Sequence, residues 1–231
     1  MIKFYFNLSP NPMKVALLLE ELGVPYEPIP VDPRKGEQFT AEYLAINPNA
    51  KVPAIIDGDT TVFDSNAILL YLAEKTGRFL PEPKDSKRGE LLSWLMFVAT
   101  GIGPYSGQAV HFHHFAPQPQ EYAVNRYDFE VERHYQIVDQ RLGKHRYMLG
   151  SKYTVVDMAL WGWARLMPRA LDDEDALNRF PNVKRLHDEI NARPAAAEGV
   201  QRLNERYKFK TEWDEEARRH MFPQLERLGL K

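Results

Sequence analysis

Everything in this chain that reads as β-strand lies within its first 63 residues. Ile2, Phe4 and Phe6 alternate with Lys3, Tyr5 and Asn7, the period-2 signature of a half-buried strand. Tyr26 to Val31 suggests a second strand. Its Pro28 and Pro30 suggest a sheet edge or an early end to the strand, because proline has no N–H to donate. Ala54-Ile55-Ile56 and Thr60 to Phe63 flank Asp57-Gly58, a pair suited to the positive φ angles of a tight hairpin. Helical patterns alternate with these runs. Asn11 reads as an N-cap with Pro12 at the first helical position, and Val15, Leu18, Leu19 and Leu22 form an apolar face. This predicts an amphipathic helix over 12–22, stopped by Gly23. A polar loop, Asp32 to Gln38, leads to a short helix over 40–46. Ser65 opens a third helix, ended by Gly77. The order β-α-β-α-β-β-α specifies a compact α/β unit with a mixed sheet.

The character then changes. Residues 79–87, with Pro81, Pro83 and several charges, read as a linker. Beyond them the periodicity is helical, over 86–110, 120–144, 154–168 and 181–192, which predicts an all-α second domain. Thr154-Val155-Val156-Asp157 is a capping box: Thr154 can cap the Asp157 amide, and Asp157 can reach back to the Thr154 amide. Its reading is structural, as the start of a buried helix. The segment Thr211 to Lys231 reads as an extension that packs back on the N-terminal domain.

A hydrophobic fraction of 44% suffices for packed cores, and a net charge of −2 disfavours a nucleic-acid partner. No stretch reaches the roughly 18 apolar residues that a membrane helix needs. Met1 to Asn7 is too short for the apolar core of a secretion signal, so a cytoplasmic protein is expected. Cysteine is absent, which excludes disulfides, thiolate metal sites and a protein thiol nucleophile. In His111-Phe112-His113-His114-Phe115 only His111 and His114 share a helix face. No cysteine or HExxH pattern accompanies them, so no metal is expected.

Two short motifs carry most of the functional reading. Asn47 to Ile55 sets a Val52-Pro53 bond between a turn and an apolar strand, and Asp64-Ser65 opens a helix. Taken alone, Ser65 is an N-cap, Asn11 a cap, Gln38 and Lys51 solvated surface residues, and Arg133 an ion-pair partner. Together with the Thr154–Asp157 box, the two motifs make the chain resemble the glutathione transferase superfamily over nearly its whole length. Ser9-Pro10-Asn11, Lys35 to Phe39, Gly103 to Gln108 and the helix around Arg133 are similar to the bacterial nu-class glutathione-dependent disulfide-bond reductases.

The resemblance implies a thioredoxin-like α/β N-terminal domain over 1–78, with a mixed four-stranded sheet. An all-α helical domain over 88–231 and a homodimer are also implied. Glutathione is the implied co-substrate, with no metal. A cis Val52-Pro53 peptide would offer the Val52 backbone groups to the cysteinyl part of glutathione. Asp64 would take the γ-glutamyl ammonium, and Ser65 with the helix amides its carboxylate. Gln38 and Lys51 would lie near the γ-glutamyl and glycyl ends, and Arg133 would neutralise a carboxylate. The related enzymes often carry Glu at the Asp64 position and Thr at the Ser9 position.

Glutathione must react as a thiolate, and a free thiol titrates well above neutral. Ser9 and Asn11, where the first strand feeds the first helix, are the donors expected to stabilise that anion; Tyr5 is the alternative hydroxyl. The implied activity is glutathione-dependent disulfide-bond reduction, acting on a small disulfide or on glutathione disulfide with no protein cysteine. The alternative is a transferase or peroxidase acting on electrophiles or hydroperoxides. A third reading is a non-enzymatic interaction module of the same fold. The persistence of Ser9, Asn11, Val52, Pro53, Asp64 and Ser65 argues against it.

Overall fold

A computed structural model describes residues 1–229. The chain forms two compact units, one of Met1–Ile68 with the chain from Glu198 onward, the other of Leu69–Ala197.

The first unit is built on a four-stranded sheet of β1 (Ile2–Phe6), β2 (Tyr26–Pro30), β3 (Ala54–Asp57) and β4 (Thr60–Phe63) in the order β2-β1-β3-β4. β1 and β2 are parallel, and the other two pairings are antiparallel. Phe4 sits opposite Pro28 on one side and Ile55 on the other. Phe4, Phe6 and Ile55 are fully buried, and the Phe4 and Phe6 rings stack at 5.3 Å. The proline-bearing β2 is an edge strand, as its missing N–H groups require.

Helix α1 (Pro10–Leu22) begins two residues before the expected start. Ser9, not Asn11, is the N-cap, and Pro10 occupies the first helical position, where its missing N–H would be an orphan anyway. Two prolines competed for that role, and the earlier one holds it. Gly23, at φ 66°, closes the helix by donating to Leu19 and Glu20 carbonyls. The expected amphipathic pattern also needs correction: every residue from Pro12 to Leu19 is buried, Lys14 included. A short α2 (Ala41–Leu44) precedes the turn into β3, and α3 (Ser65–Thr76) follows β4.

The second unit is helical. α4 (Lys87–Phe97) runs through a π-turn at Val98–Ile102 into α5 (Gly103–His114). Gly101 in that turn lies under the His134 ring, where an added Cβ would come within 2.5 Å of Nε2. α6 (Glu121–Lys144), α7 (Val155–Ala164), α8 (Met167–Ala170) and α9 (Pro181–Asn191) follow. Among the described residues no strand lies beyond Phe63, apart from an isolated bridge between Tyr147 and Gly150. None of the helices described is long and apolar enough to cross a membrane.

The chain then returns to the first unit with α10 (Gln201–Arg206) and α11 (Glu215–Met221). The Lys210 amide donates to Asp32 Oδ2 at 2.7 Å, and Arg34 donates to the Lys210 carbonyl at 2.8 Å. Tyr207 packs edge-on against Phe6. The expected C-terminal extension therefore rests on the loop after β2; its last two residues, 230 and 231, lie outside the described residues.

Candidate active site

Two helix N-termini meet in the first unit, and side chains tie them together. At the start of α1, Asn7 Oδ1 accepts from the Ser9 amide at 3.0 Å and from the Ser9 hydroxyl at 2.6 Å. At the start of α3, Asp64 has φ 69°, a left-handed conformation that Asp tolerates better than most residues. Its Oδ1 accepts from the amides of Asn66 (2.9 Å) and Ala67 (3.1 Å), and its carbonyl accepts from Ile68. Asp64 is thus the N-cap that Ser65 was expected to be. Freed from capping, the buried Ser65 hydroxyl donates across to Asn11 Oδ1 at 3.2 Å. An Asn amide whose oxygen is held this way presents its NH2 group elsewhere.

The sheet brings a third element to the same edge. Ala54 pairs with Tyr5 on one side and Phe63 on the other, so Pro53 lies level with the residues leading to Asn7 and Asp64. The Val52-Pro53 peptide is cis. The loop before it is pinned at the Lys51 carbonyl, which accepts from Tyr43 Oη and Asn47 Nδ2, both at 2.6 Å. The Lys51 side chain is exposed, Val52 is half-buried and Pro53 is buried.

The other expected residues are placed differently. Gln38 is buried, and its amide NH2 donates to the carbonyls of Pro33 (3.2 Å) and His220 (3.4 Å), under α11. Its Oε1 is buried without a hydrogen-bond partner. Arg133 belongs to the second unit, where its Nε and Nη2 donate to Glu130 Oε2 at 2.9 and 2.8 Å. Arg126 donates to the other Glu130 oxygen at 2.6 Å. Burial pushes the Glu130 carboxyl up, but the two guanidiniums outweigh it and hold it below the ordinary range. Tyr5 stacks obliquely on Tyr43 at 5.7 Å, and burial together with the Glu27 charge pushes its phenol up.

The histidines of 111–115 go separate ways. His113 pairs with Asp128 at 2.9 Å, His114 with the Arg169 carbonyl at 2.7 Å, and His111 packs edge-on to Phe112. Among the described residues no group of three metal-ligating side chains is present.

Three residues of the cluster escape the sequence reading: Asn7, Lys14 and Asn66. Lys14 is fully buried, and its Nζ donates to Asn66 Oδ1 at 2.9 Å. Burial pushes its ammonium down to about 7, opposed by the Asp64 carboxylate. The signal is a lysine inside an apolar run, three residues after Asn11 on the same helix face.

Family models of the N-terminal and C-terminal domains of glutathione S-transferase match residues 1–74 and 109–198. The disulfide-bond oxidoreductase YfcG of Escherichia coli is 41% identical over 207 residues, spanning 87% of this chain and 94% of its own. The chain belongs to the glutathione S-transferase family. Solved structures of this family are similar in fold as well. A member from Pseudomonas fluorescens, crystallised with two glutathione bound, superposes with a TM-score of 0.81 at 36% identity, over 86% of this chain and 92% of that one. A Pseudomonas putida transferase with one glutathione disulfide bound per subunit gives 0.80 at 33% identity, over 87% and 90%. In this glutathione S-transferase the Val52-Pro53 peptide is cis, and Asn11 and Ser65 are joined by a hydrogen bond beside Asp64.

Proposed function

We propose that this glutathione S-transferase is a cytoplasmic, glutathione-dependent disulfide-bond reductase that activates glutathione as a thiolate. The observation that carries the reading is the Ser65–Asn11 hydrogen bond, which holds the Asn11 amide oxygen and turns its NH2 to the role of donor. A donor at a helix N-terminus favours the thiolate over the thiol. The Val52 backbone groups hold the cysteinyl unit, and Asp64 holds the γ-glutamyl ammonium. Because Asp64 already occupies the amides of Asn66 and Ala67, and the Ser65 hydroxyl proton is held by Asn11, the γ-glutamyl carboxylate is left to the Ser65 backbone N–H. Ser9, Gln38 and Lys51 take supporting places, Ser9 after exchanging its bond to Asn7 for one to sulfur.

The chain has no cysteine, so every sulfur in the exchange belongs to substrate. One glutathione thiolate attacks a disulfide sulfur, forming a mixed disulfide and releasing one substrate thiolate. A second glutathione thiolate attacks the glutathione sulfur of that mixed disulfide, giving glutathione disulfide and the second substrate thiolate. The two thiol protons pass to the two released thiolates. Relatives crystallised with two glutathiones, or with glutathione disulfide, support a site of this capacity, and a relative named a disulfide-bond oxidoreductase supports the reaction. A homodimer belongs to the same reading: Leu92 and Met96, one turn apart on α4, are exposed apolar side chains of the kind that a partner covers.

The test is a side-by-side assay of glutathione-dependent turnover with a small dialkyl disulfide, an organic hydroperoxide and a chloronitroaromatic. The disulfide is expected to be turned over fastest. Faster conjugation or peroxide reduction assigns the site to transferase or peroxidase chemistry. Failure of the protein to bind immobilised glutathione leaves only an interaction module.

A further inference from the structure

The buried Lys14 has no place in the chemistry described so far. It is fully buried on α1, one turn after Asn11, and the acceptor of its Nζ is the neutral amide oxygen of Asn66 at 2.9 Å. Asn66 is itself buried, and its backbone N–H donates to Asp64 Oδ1. Lys14 therefore reaches from beneath α1 to the first turn of α3 and touches the residue between Ser65 and Ala67.

Charge sharpens the point. α1 and α3 both present N-terminal, electropositive ends here, and the first turn of α1 carries no acidic residue. Asp64 is the carboxylate whose charge acts on Lys14; Asn7, Ser9, Asn11, Ser65 and Asn66, the other polar side chains of the cluster, do not titrate. An ammonium without a matched anion is costly to bury. It becomes favourable when an anion arrives within reach of its field.

We infer that Lys14 is a positioning residue of the γ-glutamyl site: it fixes the first turn of α3 through Asn66, and its charge is completed by the incoming γ-glutamyl carboxylate. The inference rests on the glutathione reading above. Burial, only partly opposed by the Asp64 charge, leaves the amine pushed down to about 7. A carboxylate bound at Ser65 raises it again, so Lys14 takes up a proton as the ligand binds.

The experiment uses S-methylglutathione, which keeps both carboxylates and the ammonium but has no thiol to titrate. Its binding to the full-length wild type and to Lys14→Met is measured by calorimetry at about pH 8, in buffers of different ionisation enthalpy, which counts protons taken up. Wild type is expected to take up at least roughly half a proton. Lys14→Met is expected to lose that uptake and to bind roughly tenfold more weakly, with its melting temperature equal or higher. The ligand's own ammonium contributes equally to both proteins and cancels in the comparison. Equal affinity and equal uptake in the two proteins overturn the inference while the glutathione reading stands. If wild type does not bind the ligand, that reading falls and the inference with it. Should Lys14→Met fail to fold, wild type alone decides: uptake below about 0.2 proton overturns the role.

Discussion

At the scale of single residues, the candidate site is governed by which acceptor holds each proton. Ser9 has one hydroxyl proton, and Asn7 holds it at 2.6 Å; Ser65 has one, and Asn11 Oδ1 holds it. The Asn11 NH2 is then the donor available to sulfur without a prior exchange. Asn11→Ala should lower turnover roughly 10- to 100-fold, the weight of one hydrogen bond to an anion. Ser9→Ala should lower it less, and neither should change KM for glutathione much. Steady-state kinetics of both variants decides the matter, and a larger loss for Ser9→Ala would return the thiolate donor to the hydroxyl. Ser65→Ala should lower turnover, because it removes the group that orients Asn11, and should change the glutathione Kd little, because the Ser65 backbone N–H proposed to meet the carboxylate remains. Lys14 adds a signature in stability. An ammonium pushed down to about 7 binds fewer protons in the folded chain than in the unfolded one between about pH 7 and 10.5. Stability therefore rises across that window, by at most about 1.4 kcal/mol per pH unit. Denaturant titrations at several pH values should show that rise in wild type and lack it in Lys14→Met. The resemblance named Ser9, Asn11, Asp64 and Ser65 from sequence. It did not reveal who donates to whom, because the Asn11–Ser65 and Lys14–Asn66 bonds join residues more than fifty positions apart.

At the scale of elements, caps decide more than hydrophobic periodicity does. The expected helix at 12–22 has the right body and the wrong start, since Ser9-Pro10 and Asn11-Pro12 are equivalent N-terminal signals in local sequence. The Asx-type bond from Ser9 N–H to Asn7 selects between them. At α7 the local signal was unambiguous. Asp157 is fully buried and accepts from the amides of Thr154 and Met148, both at 2.8 Å, and from the Thr154 hydroxyl at 3.1 Å. Burial pushes its carboxyl up to about 6, against the pull of those bonds. The capping box was legible in four consecutive residues. The tie to Met148, which anchors the preceding turn, was not. Asp157→Ala strands three donors in the interior and should destabilise the protein by about 2–4 kcal/mol. Asp157→Asn keeps one acceptor oxygen and should cost less. Chemical denaturation of the two variants ranks them, and equal losses would mean that the one acceptor oxygen kept by Asn contributes nothing.

At the scale of the whole molecule, two global facts of the sequence matter most: strands confined to its first 63 residues, and no cysteine anywhere. The first made the α/β sheet and the helical remainder readable in advance. It left the return of the C-terminal segment to the first unit to be seen in the structure, because Asp32–Lys210 and Gln38–His220 contacts span 178 and 182 positions. The second constrains the kinetics. With no protein thiol, no mixed disulfide between enzyme and substrate can form, so prior treatment with a thiol-alkylating reagent, removed before assay, should leave activity unchanged. More informatively, the proposed reaction consumes two glutathiones in each turnover. If the glutathione-substrate mixed disulfide is kept in the site until the second thiolate attacks it, the rate should rise faster than linearly with glutathione at low concentration. If the mixed disulfide leaves and is resolved in solution, the dependence is hyperbolic, and the mixed disulfide accumulates. Initial rates over a wide glutathione range, with chromatography of the quenched mixture, separate the two. The chain's lack of cysteine argues for retention: a protein that cannot hold the intermediate covalently must hold it by the γ-glutamyl contacts proposed at Asp64 and Ser65, and the glutathione half of the mixed disulfide carries that group.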